Sequence, residues 1–273
     1  MKVALIGGRG FFGSAVQEQL VDHEVLTVDH RPGPASHREV DVLDTARLAQ
    51  VLREVDAVVN FVGLTPTREP RKTSYHEVHV QGAGSVALAC EQAGVSYLLH
   101  VSALGAALDA PTEYLRTKAA GERALSAFSG PTGVLRPSVL LDAGNELVVA
   151  LRRLSVTRVF FRSEAYLQPV YRVDAASLVT SLIKEAYVGV VEVGGPDVLT
   201  LSDLARLVYS RQGRRCFLFP LWLARLGATA LAVLPRTRIG FDQVRSLSLN
   251  NTLVPAASVK QVVTSTSVTA WLS

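Results

Sequence analysis

The run Lys2-Val-Ala-Leu-Ile6-Gly7-Gly8-Arg9-Gly10-Phe11-Phe12-Gly13-Ser14 decides how the chain folds. Its first five residues are a short apolar stretch of strand type, and from Ser14 to Leu20 apolar residues return at helical spacing. Between them Gly7, Gly10 and Gly13 fall at every third position. The order predicts strand, tight turn and helix. Gly7 permits the turn, Gly10 lets a ligand approach bare backbone, and Gly13 lets the helix lie close to the strand. The first amides of such a helix, those of Phe11 and Phe12 among them, lack partners within it and sit at the positive end of its dipole, which suits an anion. A secretory signal would place a longer apolar core and a small-residue cleavage site here. The glycine turn instead predicts the first strand of the fold, with no conventional presequence expected ahead of it.

Outward from this unit, strand candidates recur at Glu24–Val28, Val40, Ala57–Val62, Ser96–Val101 and Gly133–Leu135. Helix candidates lie between them at Thr45–Arg53, Tyr75–Gln92 and Glu113–Phe128. Continuous apolar strands alternating with amphipathic helices predict an α/β fold, a doubly wound parallel sheet covered on both faces, the Rossmann arrangement. Past residue 160 helices dominate, at Ala175–Tyr187, Leu201–Gln212, Pro220–Val233 and Phe241–Leu249. We therefore expect a dinucleotide-binding domain over residues 1–162 and a smaller, mostly helical cap domain over 163–273.

The glycine loop gains weight from Asp29, nineteen residues after Gly10 at the end of the second strand. A carboxylate there accepts from a ribose hydroxyl, so strand, loop, helix and acid together predict a nicotinamide dinucleotide, NAD(P)(H). Asp29 favours the form without a 2′-phosphate. Arg9 in the loop, with His30 and Arg31 after the second strand, favours the form with one. The sequence leaves that choice open. Asp41 falls where a short third strand would end beside an adenine ring, or it caps the helix that begins at Thr45.

Several further stretches carry a family resemblance: Asn60-Phe-Val-Gly63, His100-Val-Ser-Ala-Leu-Gly105, Tyr114-Leu-Arg-Thr-Lys118, Arg136-Pro-Ser138, Gln168-Pro-Val-Tyr171 with Asp174, Gly194-Gly-Pro196 with Thr200, and Phe219-Pro-Leu-Trp-Leu223. With the glycine loop they resemble an atypical, extended-type short-chain dehydrogenase/reductase of the nucleoside-diphosphate-sugar epimerase group. The full set looks most like the Rossmann-fold accessory subunit of respiratory complex I and its bacterial relatives.

Tyr114 and Lys118 are four residues apart and share a helix face. An ammonium beside a phenol is expected to lower its pKa toward neutrality, fitting Tyr114 for general acid/base work. The resemblance implies that Lys118 also holds the nicotinamide ribose. It also implies a carbonyl-polarising Ser or Thr two residues beyond Ser102, where this chain has Leu104. Ser102 is then the candidate substitute, aimed from a different point of the strand end. His79 stands where the resemblance implies an asparagine of a proton relay, a task an imidazole can share. Tyr75-His-Glu-Val-His79 spaces its two histidines by three residues, which does not predict a metal site. Arg136 is expected to pair with a buried carboxylate or to face the substrate side of the cleft.

Composition bounds the rest. The chain has 273 residues, 48% hydrophobic and 19% charged, which excludes a disordered chain, and its two cysteines exclude a disulfide scaffold and fit a reducing compartment. A formal charge of +4 hides an asymmetry, since Ala205–Arg245 holds eight arginines against one acid, Asp242. Pro220–Pro235 encloses an apolar stretch with Arg225 as its one charge, too short for the roughly 30 Å a membrane span needs. It is read as a cap-domain helix, a membrane-surface helix with Trp222 at the interface, or a docking face. This basic, apolar zone predicts a partner among complex I subunits or anionic lipid, with no transmembrane span. No nucleic-acid partner is expected. The leading expectation is a complex I accessory or assembly protein that keeps its cofactor mainly for structure. It would lie on the matrix side of the mitochondrial inner membrane in a eukaryote and in the cytoplasm otherwise. The competing expectation is an active oxidoreductase or epimerase on a sugar nucleotide or quinone-related intermediate.

Overall fold

The computed structural model describes residues 1–33, 37–64, 74–220, 249–256 and 259–272. Its first half alternates strand and helix: β1 (Lys2–Ile6), α1 (Phe11–Gln19), β2 (Glu24–Asp29), β3 (His37–Glu39), α2 (Thr45–Val51), β4 (Ala57–Asn60), α3 (Gly82–Ala93), β5 (Tyr97–Val101), α4 (Glu113–Ala124) and β6 (Thr132–Pro137). The remainder runs β7 (Leu140–Leu141), α5 (Glu146–Leu154), β8 (Val159–Phe161), β9 (Tyr166–Leu167), β10 (Val170–Tyr171), α6 (Arg172–Lys184), β11 (Gly189–Gly194), β12 (Leu199–Thr200), α7 (Leu201–Arg211), β13 (Phe217–Phe219), β14 (Lys260–Val263) and α8 (Val268–Trp271). Helix positions expected within 221–248 lie outside the described residues.

Eight strands form one parallel sheet in the order β14-β11-β6-β5-β4-β1-β2-β3. Alternate residues of β1 feed opposite faces, as strand geometry requires. Val3 and Leu5 join Phe12, Val16, Ala175 and Val179 under α1 and α6. Ala4 and Ile6 join Leu48, Val86, Ala87 and Cys90 under α2 and α3. Because the chain leaves β1 toward β2 on one side and returns to β4 on the other, the sheet reverses direction there, and a crevice opens at the carboxyl ends of β1 and β4.

Residues beyond 162 return to this sheet. α6 packs on its first face, and β11 and β14 extend its edge beyond β6. A third apolar cluster, with Leu141, Val148, Leu151, Phe160, Leu204, Tyr209 and Trp271, draws on α5, α7 and α8. Asn145 starts α5 by accepting from the Leu147 amide at 2.8 Å, a helix the sequence reading lacked. The single helix expected over Tyr75–Gln92 is instead interrupted by a π-wound turn at Glu77–Gln81. Gly121 of α4 lies so close to the carbonyl of His79 that an added Cβ would stand 2.2 Å from that oxygen. The wider turn sits where the two helices touch. The strand expected at Val40 lies just before it, at His37–Glu39, paired to Thr27–Asp29.

Candidate functional site

The glycine loop is held from both sides. Gly7 adopts φ +76° and donates its amide to Val28 of β2 at 2.7 Å, while Gly10 donates to the Gly7 carbonyl at 3.0 Å. A Cβ on Gly13 would stand 2.6 Å from the Gly8 Cα, and one on Gly8 would stand 2.7 Å from the Leu5 Cβ. Gly13 therefore nests on Gly8, and Gly8 on β1. The sequence reading placed the close approach between helix and strand and passed over Gly8, although it stood inside the deciding run. Gly10 differs, because a Cβ there would meet one neighbour, the Gly7 carbonyl at 3.2 Å, and otherwise open space. No side chain caps α1 at Gly10. Bare backbone, free space and uncapped amides of Phe11 and Phe12 fit a pyrophosphate.

Phe12 is buried edge-on against Phe61 at 5.3 Å, which fixes the first turn of α1 to the end of β4. Phe11 is partly exposed, and the Arg172 guanidinium lies 4.9 Å from its ring centre. Arg172 also donates to the Phe11 carbonyl at 2.9 Å and pairs with Asp142 at 2.8 Å. Sequence reasoning missed Arg172, since nothing local marks a residue that reaches α1 from 161 positions away.

At the end of β2, Asp29 is buried and engaged. Arg31 donates from Nε and a terminal nitrogen at 3.1 Å each, and His30 Nδ1 lies 3.1 Å away. Burial opposes ionisation of Asp29, but the hydrogen bonds and charge of Arg31, with His30, outweigh it and hold the carboxyl below its usual range. Arg31 thus forks onto Asp29 while its side chain stays half exposed. Arg9 reaches across to the carbonyls of Arg31 and Pro32. Asp41 is exposed and accepts from the Leu43 amide at 2.9 Å. The cap of α2 is Asp44, which accepts from the Arg47 amide, so capping does not fall to Asp41.

The carboxyl ends of β4 and β5 gather the remaining candidates. Lys118 is buried, and its ammonium donates to the Val101 carbonyl at 3.1 Å. Burial lowers its pKa to about 8, a fall that the charge of Glu122 only partly offsets. Gly63 makes room for it, since a Cβ there would stand 2.8 Å from Nζ. The expected lowering of the Tyr114 phenol does not occur. Burial, then neighbouring Tyr75, push it up to about 12, because Lys118 is turned to Val101 while the ring packs among Tyr75 and His79 at 6.0 and 5.5 Å.

His79 accepts from the Leu64 amide at Nε2, 2.9 Å, and so donates from Nδ1 to Thr117 at 2.9 Å. Burial, with the charge of Lys118 second, lowers its pKa to about 3. Both ring nitrogens serve the scaffold, which leaves no lone pair or proton for a relay. His100 is buried on β5. The Val62 amide donates to Asn60 Oδ1, so the Asn60 amide nitrogen faces His100 Nδ1 at 3.1 Å. The proton of His100 then sits on Nε2, which has no partner among the described residues, and neither has buried Ser102 Oγ. Leu104 is buried, 5% exposed. Arg136 pairs with a carboxylate, forking onto Glu122 at 2.9 and 2.6 Å, with Glu192 at 3.5 Å.

A parallel sheet with a glycine cradle at its reversal point defines a nucleotide-binding domain of Rossmann type. Residues 3–138 match the NAD dependent epimerase/dehydratase family, and the domain built on them is a member of it. The chain is 26% identical to NADH dehydrogenase [ubiquinone] 1 alpha subcomplex subunit 9, mitochondrial, of Arabidopsis thaliana over 229 residues, covering 75% of this chain and 56% of that protein. The Mus musculus protein of the same description is 24% identical over 206 residues, covering 71% and 54%. The chain thus spans about half the length of the curated relatives it matches. Among solved structures, the UDP-N-acetylglucosamine 4-epimerase of Bacillus cereus superposes with a TM-score of 0.68 at 21% identity, over 81% of this chain and 84% of that one. That likeness establishes the fold.

Proposed function

We propose that the protein is a nucleotide-binding accessory or assembly protein of respiratory complex I type, which holds NAD(P)(H) mainly as a structural element. The observation that carries this reading is a complete cradle beside a disarmed catalytic end. Gly10 and the first amides of α1 are open to a pyrophosphate. At the other end Leu104 fills the position of a polarising hydroxyl, and the Tyr114 phenol holds its proton up to about pH 12. An acid/base phenol works best with a pKa near the working pH, and a missing electrostatic donor alone costs about a hundredfold in rate.

In this reading Gly7, Gly10 and Gly13 shape the loop, and the amides of Phe11 and Phe12 bind phosphate. Lys118 turns from Val101 to the nicotinamide ribose, and Asp29 with Arg9 and Arg31 frames the adenosine ribose. Asp41 lies beside the adenine, and Ser102 borders the nicotinamide end. Residues 1–162 supply most of the nucleotide domain, and 163–273 supply the cap together with the strands that complete the sheet. The relatives' descriptions place those proteins in mitochondrial NADH dehydrogenase. We extend that to this chain as a subunit or assembly partner of complex I, on the matrix side of the inner membrane in a eukaryote and facing the cytoplasm in a bacterium.

The test is to purify the protein from its native source, extract and weigh the bound nucleotide, and identify what copurifies. A deletion strain is then complemented with Tyr114→Phe and with Lys118→Ala. A structural cofactor predicts that Tyr114→Phe complements and Lys118→Ala does not. Loss of function in Tyr114→Phe with nucleotide still bound would establish the competing reading, an active oxidoreductase or epimerase.

A further inference from the structure

The small parallel ribbon of β8 and β13 carries an outer face that the nucleotide reading does not use. Val159 and Phe217 are register partners and therefore point the same way from the ribbon. They are 43% and 60% exposed, while Phe160 between them and its neighbours turns into the third apolar cluster. Just before the ribbon, Leu154 and Val156 are 45% and 69% exposed. Single exposed apolar residues are ordinary, but four on one short ribbon and the turn leading into it are not.

Basic charges outnumber acidic ones around this face, since residues 146–164 and 203–219 hold eight arginines against Glu146, Glu164 and Asp203. Of the acids, Asp203 lies beside Arg206, while Glu146 and Glu164 flank the segment at its two ends. Four of the arginines are otherwise employed: Arg152 on the Ala143 carbonyl, Arg214 on Ser155, Arg211 on the Thr269 carbonyl and Arg206 beside Asp203. The other four, Arg153, Arg158, Arg162 and Arg215, are exposed. A guanidinium fork matches a phosphodiester in geometry as well as charge. A second copy of the chain would bring the same positive face. The chain's own residues 221–248, with Arg225, Arg236, Arg238 and Arg245 against Asp242, would do so too. Like charges exclude both as electrostatic complements.

We propose that the β8–β13 face is a peripheral docking surface for an anionic phospholipid membrane, with Leu154, Val156, Val159 and Phe217 entering the headgroup region and Arg153, Arg158, Arg162 and Arg215 on lipid phosphates. Apolar side chains without hydrogen-bonding demands, ringed by arginines, suit a fluid array of phosphates. No helix among the described residues is long and apolar enough to cross a membrane, so the attachment is to the surface. This inference stands apart from the nucleotide reading, since no residue of the face touches the glycine loop or Lys118.

The test uses the whole chain and vesicles of phosphatidylcholine alone or with roughly a third phosphatidylglycerol, separated by flotation at about 0.1 M salt. The unaltered protein should bind the anionic vesicles at least about tenfold better, and raising the salt to about 0.5 M should release it. Arg153→Glu/Arg158→Glu/Arg215→Glu should abolish the preference. Val156→Ser/Phe217→Ser should weaken binding severalfold while leaving its salt dependence. Melting curves and nucleotide affinity, expected to match the unaltered protein, show that these variants fold. Equal binding to both vesicles, no binding by the unaltered protein, or full binding by the triple variant would overturn the proposal. If the unaltered protein ignores vesicles while the triple variant alone is lost from a purified complex, the face belongs to an acidic protein partner instead.

Discussion

Replacing Lys118 with methionine should make the nucleotide-free protein more stable and its hold on nucleotide weaker. Lys118 is 5% exposed and spends its ammonium on one carbonyl, that of Val101. Its pKa falls from the ordinary 10.5 to about 8, a difference that corresponds to about 3 kcal/mol against the charged form. Because the folded value lies below the unfolded one, the unfolded chain binds more protons between those two pH values, and stability rises with pH across that window. Below about pH 8 the penalty is present in full. Methionine fills the same space without a charge but leaves the Val101 carbonyl without its donor, which returns about 1 kcal/mol. The net gain at pH 7 is about 2 kcal/mol, or roughly 4–8 °C in melting temperature for a chain of this size. Calorimetric melts of both proteins without nucleotide, from pH 7 to 10.5, should show a gap that closes as the pH rises. With NAD(P)(H) added the order should reverse, as the ribose contact is lost. A variant that melts below the original at pH 7, or a gap indifferent to pH, would refute the view that Lys118 is a strained residue kept for a ligand.

Gly10→Val should fold nearly as before and lose nucleotide by calorimetric titration. Gly13→Ala, whose Cβ would stand 2.6 Å from the Gly8 Cα, should lose at least about 2 kcal/mol in urea melts as well. Arg136→Met would leave Glu122 and Glu192 facing each other without their cation and should cost about 3–5 kcal/mol, with Arg136→Lys recovering part of it. Asp29, held below its ordinary pKa, contributes stability that is complete above about pH 4 and lost as the pH falls through its folded value; Asp29→Asn should flatten that part of the acid melting curve. In the folded protein iodoacetamide should label half-buried Cys216 first, because burial pushes the Cys90 thiol up to about 12.

Much of this was legible in sequence where local chemistry decides the outcome. The glycine spacing, the apolar runs of β1, β4 and β5, and the start of α4 at Glu113 all act within a few residues. What stayed hidden depends on distant partners. The π-wound turn at His79 answers to Gly121 on another helix, and β11 and β14 pair strands that lie far apart in the chain. The Gly189–Gly194 run does carry a signal, Val190-Val191-Glu192-Val193 behind a glycine at φ +114°, which the expectation of a mostly helical cap obscured. At the site, the four-residue spacing of Tyr114 and Lys118 put both on one face. Spacing could not reveal that the ammonium would turn to Val101 or that His79 would spend both nitrogens on the scaffold.

The placement of β14 also sets the timing of synthesis. β11 ends at Gly194, while the strand that covers its outer edge begins at Lys260. At about 5–20 residues per second a ribosome needs roughly 3–14 s to deliver that strand. During that interval the nascent sheet presents an open, apolar edge of the kind that recruits other chains. A nascent chain from which β11 has left the ribosome while β14 has not should therefore engage chaperones more heavily than one in which both have emerged.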